Sequence, residues 1–295
     1  MDHALYRYSA LPTRAPPPPW PGGRRLAAYA LLFLEHWELL PPAGALRDPR
    51  LVGEFGSFHP DYRSWTQREY GLRIGIYRVL DALQAAGIVP CIAANALALE
   101  RLPALVRRLG DAGCEWIAHG LAATRIMHSK MTRDEQQAHI RTSLDTVERI
   151  CGRRPAGWLS QDWGTTPDTF DLLADAGVRY TLDLPNDDQP YWMATRRPLL
   201  AIPYAAEWDD VQCQWLRFVE PRAHAEIAAT AFERLHEEGR CAVFGLGIHP
   251  WLAGMPSRIA ALRTLLARIG GADGTWWTSP GAIFDAACAQ REAAP

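Results

Sequence analysis

The sequence has no apolar stretch near the ~20 residues that a bilayer-spanning helix requires. It has no basic stripe and no block of like charge, and its formal net charge is −2. Nucleic acid and anionic membranes are therefore not expected as partners. No CxxC pair occurs, and the six cysteines at positions 91, 114, 151, 213, 241 and 288 are scattered. Reduced, mostly buried thiols are the expectation, rather than disulfides or a thiolate metal site. No GxGxxG or GxxxxGK[ST] follows a strand-like run, so a nucleotide-binding loop is not expected. The opening "MDHALYRYSALPTRAPPPPWPGG" lacks a charged start followed by an apolar run. It does not read as a signal peptide, and a cytoplasmic location is expected.

Hydrophobic residues make up 48% of the 295 positions, enough for a substantial core. The length suits one large α/β domain or two ordinary ones. Residues 1–24 form a Pro-rich arm with a polyproline-like segment, "APPPPWPGG", placed to pack on the fold or on a partner subunit. Next, "RRLAAYALLFLEHW" is a continuous apolar run with polar groups at its end, which predicts a buried strand. Residues 40–70 read as a long loop. After them, apolar runs and helix-period segments alternate about seven times. That rhythm predicts a parallel sheet, and the number of units favours a barrel over an open sheet.

Active sites of such barrels lie at the C-terminal strand ends. The polar residues expected there are Glu35 and His36, Asn95, His119, Trp158 to Asp162, Asp183 with Asn186, Asp187 and Asp188, Glu207 and Asp209, and His249. Each is weak alone; their agreement carries the weight. In "CEWIAHGLAATRIMHSKMT", His119 is delivered from an apolar run to a glycine, as a metal ligand would be. Zinc needs about three protein ligands, and the position one helical turn on is Ala123. Trp158 and Trp163 are placed to wall a flat ring, with core packing as the alternative, and Trp37, in a predicted loop, is a further candidate lining for a small-ligand pocket. Asn186, Asp187, Asp188 and Tyr191 form an acidic loop that suits substrate N–H groups, or simply a turn. Tyr70 and Arg73 could reach the site from the long loop. Arg73 or Arg154 could instead pair with Glu35 in a structural role.

Five stretches in order carry a family likeness: "FLEHWE", "YGLRIGIYRVLD", "EWIAHG", "RRPAGW" with the following "TPDTFDLLADAGVRYTLDLPNDDQPYW", and "FGLGIHPWLAGMPSRIAALRTLL". The chain resembles the polysaccharide deacetylase (NodB-homology) superfamily, and within it the allantoinase and cyclic imide hydrolase branch. The resemblance implies a single distorted (β/α)7 barrel over residues 25–290 that hydrolyses C–N amide bonds. Metal-dependent members hold a cation with an Asp–His–His triad and use a separate aspartate as base and a late histidine as acid. Here Glu35 matches the metal-binding aspartate, Phe33 the base, His119 the first histidine, Ala123 the second and His249 the late one. The resemblance implies no tightly bound cofactor. Zinc is expected only if Glu35 and His119 are completed by His36 or His128.

The expected activity is ring opening of a small cyclic amide, ureide or imide. Glu35 would be general base with its pKa raised by burial, His119 would polarise the carbonyl or orient the water, and His249 would protonate the leaving nitrogen. The competing readings are a metal-dependent deacetylase of an N-acetyl sugar or other acyclic amide, and a non-catalytic ligand-binding barrel. A small-molecule substrate and a homo-oligomer, dimer or tetramer, complete the expectation.

Overall fold

β1 (Leu26–Leu34) is nine residues long and every one is buried. A strand covered on both faces must be apolar on both, which is why the run does not alternate with polar residues. Its side chains still alternate in direction. Ala27, Tyr29, Leu31 and Phe33 pack inside the barrel with Tyr180, Leu182 and Tyr204. Leu26, Ala28, Ala30, Leu32 and Leu34 pack outward with helix residues such as Ile76, Val79 and Leu265.

The computed structural model describes residues 3–45 and 60–292. After β1 come α1 (Tyr62–Tyr70), a π-helical turn at Gly71–Gly75 and α2 (Ile76–Ala85). β2 (Cys91–Ala94), α3 (Ala96–Arg101), α4 (Pro103–Asp111), β3 (Trp116–Ala118) and α5 (Arg133–Cys151) follow. Then come β4 (Gly157–Trp158), α6 (Thr169–Asp175), β5 (Tyr180–Thr181), β6 (Tyr191–Trp192) and β7 (Leu200–Ala201). The chain continues through α7 (Pro221–Glu238), β8 (Ala242–Ile248), α8 (Pro250–Ala253), α9 (Ile259–Ile269), β9 (Thr275–Trp277) and α10 (Pro280–Glu292).

The sheet runs β6-β7-β5-β4-β3-β2-β1-β8, with β9 also pairing β1. All ladders are parallel except β6 with β7. This is the expected distorted barrel, curled but not closed: among the described residues no ladder joins β7 to β8. Side chains fill that seam. Tyr29 donates its hydroxyl to the carbonyl of Pro203 at 2.8 Å, and Tyr204 leans over β8. Gly247 makes this possible. A Cβ there would lie 1.9 Å from the Tyr204 hydroxyl and 2.8 Å from Asp209 Oδ2. We expect Gly247→Ala to lower stability by about 1–3 kcal/mol through overpacking, read as a drop in the thermal unfolding midpoint; an unchanged midpoint would show that Tyr204 can move.

The loop expected over residues 40–70 needs correction at its end, where Tyr62–Tyr70 is helical; residues 46–59 lie outside the described residues. Asp61 caps this helix by accepting the Ser64 N–H at 3.1 Å. The π-turn that follows crosses α8 at backbone contact, because a Cβ on Gly75 would meet the Pro250 carbonyl oxygen at 2.1 Å. π-turns are commonly found at functional sites, and this one sets Trp251 against α1. A capping box of Thr132 and Glu135 opens α5.

The N-terminal arm lies along the barrel. Leu5 accepts the Ala194 N–H at 2.7 Å, and Tyr6 bridges Met193. Trp20 is buried and donates Nε1–H to the Ala242 carbonyl at 3.1 Å. Arg14 grips Asp187 with both terminal nitrogens at 2.6 and 2.7 Å. Backbone pairing beside β6 covers an edge that would otherwise present free N–H and C=O groups.

Candidate active site

The inward parity of β1 carries past its end. Phe33 and Glu35 line one pocket with Trp37, His119, Leu159 to Trp163, Tyr204, Asp209, Val211, Gln212, His249 and Trp251. The first polar residues after β1, β3 and β8 thus meet, as the strand-end argument requires.

On one side stand Glu35 and His119. His119 is 1% exposed. Its Nδ1 lies 2.7 Å from the Leu159 carbonyl oxygen and must donate to it. That bond leaves Nε2 facing the pocket, 3.5 Å from Glu35 Oε1 and with no hydrogen-bond partner among the described residues. Gln161 Nε2 donates to Glu35 Oε1 at 2.6 Å. Asn95 ties the strand ends together: its Oδ1 accepts the His36 N–H at 3.0 Å, and its Nδ2 donates to the His119 carbonyl and, at 3.3 Å, to Gln161 Oε1.

The raised pKa expected for Glu35 is corrected. Burial pushes the carboxyl up, but the His119 imidazole 3.5 Å away, the charge of His249 and the Gln161 amide outweigh it and hold Glu35 at about 2. The cause is neighbourhood: a buried carboxylate facing cationic donors prefers its charged form.

On the other side stands His249. Its Nδ1 is 2.6 Å from Asp210 Oδ1, and its backbone N–H donates to Asp210 Oδ2 at 2.8 Å. Burial pushes the imidazole down, but the charge and hydrogen bond of Asp210, with Asp209 and Glu35 behind, lift it to about 9. Phe33 stacks on the ring, centroids 3.8 Å apart and planes 9° from parallel. So Phe33, which the resemblance aligns with a base aspartate, here packs against His249. Asp209 accepts the Tyr204 hydroxyl and the Gln212 N–H, and burial raises its pKa.

The loop after β4 is held from beneath. Asp183 accepts the Ser160 N–H at 2.6 Å, the Ser160 hydroxyl at 2.9 Å and the Thr181 hydroxyl at 3.0 Å. Burial lifts this carboxyl to about 6 despite those bonds. Asp162 and Trp163 sit at positive φ, 49° and 52°, conformations that side chains avoid unless the surroundings impose them. Trp163 then stacks on Tyr204, centroids 5.5 Å apart, and walls the pocket.

Several expected site residues lie elsewhere. Trp158 is fully buried and belongs to the outward, helix-facing cluster; its neighbour Leu159 takes the inward parity. Asn186, Asp187, Asp188 and Tyr191 face the N-terminal arm, not the pocket. Asn186 donates to the Tyr6 hydroxyl at 2.8 Å, Tyr191 donates to Asn186 Oδ1 at 2.7 Å, and the Asp188 carbonyl accepts the Val243 N–H at the start of β8. Arg73 is 74% exposed and reaches Glu69 at 3.9 Å. Arg154 pairs with Asp145 and Glu148. Neither pairs with Glu35.

The metal set proposed on Glu35 and His119 does not assemble. Ala123 has no donor, and only its backbone N–H is engaged, with the His36 carbonyl at 2.9 Å. The His36 ring is surrounded by Arg101, Glu38 and Arg125, and His128 Nδ1 accepts the Lys130 N–H at 3.2 Å. The residues present do not fit the family's three-ligand cation. Among the described residues, Asp209, Asp210 and His249 are the group whose ligand atoms lie within 4.8 Å of one another. Both Asp210 oxygens are already engaged by His249, and both Asp209 oxygens by Tyr204 and Gln212.

Asp210, Tyr204 and the Asp183–Ser160 clamp were not singled out as a working set. The pair "DD" after "EW" was the available sign for Asp210, beside the already noted Asp209.

No family model matches the chain. It is 26% identical over 228 residues to a Schizosaccharomyces pombe protein named "Putative polysaccharide deacetylase", covering 70% of this chain and 71% of that one. The crystal structure of PuuE allantoinase superposes with a TM-score of 0.81 at 26% identity, covering 94% of this chain and 95% of the other. A probable polysaccharide deacetylase from Pseudomonas aeruginosa PAO1 superposes with a TM-score of 0.78 at 25% identity, covering 93% and 94%. The resemblance read from the sequence and the polysaccharide-deacetylase fold are borne out. Deacetylases and allantoinases are amidohydrolases of C–N bonds other than peptide bonds, and the chain is of that enzyme class. No helix among the described residues is long and apolar enough to cross a membrane.

Proposed function

We propose that this amidohydrolase opens a small cyclic amide, ureide or imide of the allantoin kind. The observation that carries the reading is one pocket with the Glu35–His119 pair on one side and the Asp210–His249 pair on the other. Such pairs of titratable groups, pushed apart in pKa by their surroundings, assign acid and base.

The bond from His119 Nδ1 to the Leu159 carbonyl leaves Nε2 as acceptor in the neutral ring. A water held there loses a proton to Nε2 as its oxygen bonds to the ring carbonyl carbon, and the C=O π pair moves onto the carbonyl oxygen, to return when the C–N bond breaks. The fixed charge of Glu35 stabilises the imidazolium so formed. Glu35 thus assists the base instead of being it, because a carboxylate held at about 2 is a weak proton acceptor. When the C–N bond breaks, the electron pair goes to nitrogen and His249 supplies the proton. Asp210 keeps His249 charged for that step, with a pKa of about 9. The product is a ring-opened carboxylic acid bearing a free amide nitrogen. Trp37, Trp163 and Trp251 suit a flat ring, since aromatic faces favour planar partners. A carbonyl sharing its nitrogen with a second carbonyl is more electrophilic than an acetamide, which suits a site with two acid–base pairs.

The test is turnover of a panel of cyclic ureides and imides by chelator-treated protein, with metal content read on the same sample. Ring opening that survives metal removal is expected. Activity on acyclic N-acetyl amides that disappears with chelation and returns with zinc would overturn the reading. It would favour a metal-dependent deacetylase, for which the Asp209–Asp210–His249 group is the site to examine.

A further inference from the structure

Arg68 has no part in the chemistry above, yet the fold buries it. It is 4% exposed, and its Nε and Nη1 are buried without a hydrogen-bond partner among the described residues. Its Cζ lies 3.3 Å from the ring centre of Trp251, 4.9 Å from Trp37 and 5.0 Å from Trp215. Those rings cover the faces of the guanidinium. Stacking satisfies the faces and leaves the N–H edges open.

Arg68 lines a cavity of about 360 Å³ that shares Glu35 and Trp37 with the reactive pocket. His36 lines it too, with Nε2 buried and unpartnered among the described residues. Arg73 and Arg101 add positive charge, and Glu69 and Glu35 are its acidic residues. Burial pushes Arg68 down to about 9, with Glu35 pulling the other way. A buried cation with open N–H groups is costly until an acceptor completes it.

We infer that Arg68 and His36 bind a carboxylate carried by the substrate, beside the ring amide that the reactive pocket attacks. The inference rests on the ring-opening reading. A guanidinium edge matches the two oxygens of a planar carboxylate. A dianionic phosphate would meet more repulsion from Glu35, which lines the same cavity. Burial holds His36 at about 4, so it is neutral near pH 7 and can donate from Nε2 without competing for the anion's charge.

The experiment compares two probes on the intact protein by calorimetry. One is a hydantoin ring bearing a carboxymethyl arm; the other bears the neutral carbamoylmethyl arm of the same shape. The carboxylate is expected to bind about tenfold tighter or more. In Arg68→Gln the two affinities should converge. Arg68→Lys, which keeps the charge and loses the fork, should retain part of the preference and serves if the Gln variant does not fold. Equal affinities in the wild type, or a preference that survives Arg68→Gln, would overturn the inference. Turnover of both probes on the same samples separates the two readings. Ring opening without carboxylate preference removes the subsite alone. Carboxylate preference without ring opening of any panel member overturns the proposed reaction.

Discussion

Asp210→Asn is expected to lower kcat for ring opening by about 10²–10⁴-fold, the span typical of a lost general acid or of its orienting carboxylate. The carboxylate holds His249 by two contacts, 2.6 Å to Nδ1 and 2.8 Å from the backbone N–H. An asparagine keeps an acceptor for the backbone N–H but removes the charge. His249, now at about 9, then titrates at lower pH, and the alkaline limb of the rate profile should move down with it. The sign on stability follows the same logic. A histidine raised by its partner contributes stability that is fully present below its ordinary value of 6.5 and is lost as pH rises through about 9. In Asp210→Asn that alkaline loss should shrink. Rates and thermal unfolding midpoints across pH check both limbs. An unchanged alkaline limb in the variant would remove His249 from the role of acid.

Glu35→Gln is expected to cost a similar factor, about 10²–10⁴ in kcat, with the fold retained. The side chain keeps its shape, and Gln161 can still donate to the new amide oxygen. What disappears is the charge that stabilises an imidazolium at His119 and helps to raise His249. Here the sign runs the other way. The depressed carboxyl contributes stability that is present above its ordinary 4.5 and is lost only as pH falls through about 2. An acid limb of the rate profile above 4.5 therefore belongs to another group. Circular dichroism with steady-state rates is the check. Near-normal turnover in Glu35→Gln would sink the Glu35–His119 pair as the water-activating unit.

Much of the site was readable because buried strands leave a simple trace. Glu35, His119 and His249 are each the first polar residue after an apolar run, and strand ends are where a barrel exposes chemistry. On the nine residues of β1, parity could be counted: Phe33 and Glu35 share the inward side. β4 is two residues long, too short to show a period. Trp158 and Leu159 therefore read alike, and a single step of register put the tryptophan on the wrong face. The acidic loop at Asn186 to Asp188 read as a substrate-binding loop because it is polar and follows β5. Its fate depended on Tyr6 and Arg14, far away in sequence.

The sequence by itself determined the alternation of buried strands and helices, the parallel barrel, and which residues leave the core at its reactive edge. Those properties depend on local hydrophobic period, and the chain order carries them. Tertiary structure alone decided the electrostatics. Glu35 is held low and His249 high because Asp210, His119 and Gln161 arrive from other strand ends, at distances no spacing in the chain records. It also decided Arg68, which sits in a polar-looking helix and is buried only because glycines at 71 and 75 let α8 bring Trp251 against it. Charge and burial depend on separations in space across the barrel, and a linear pattern holds no measure of those.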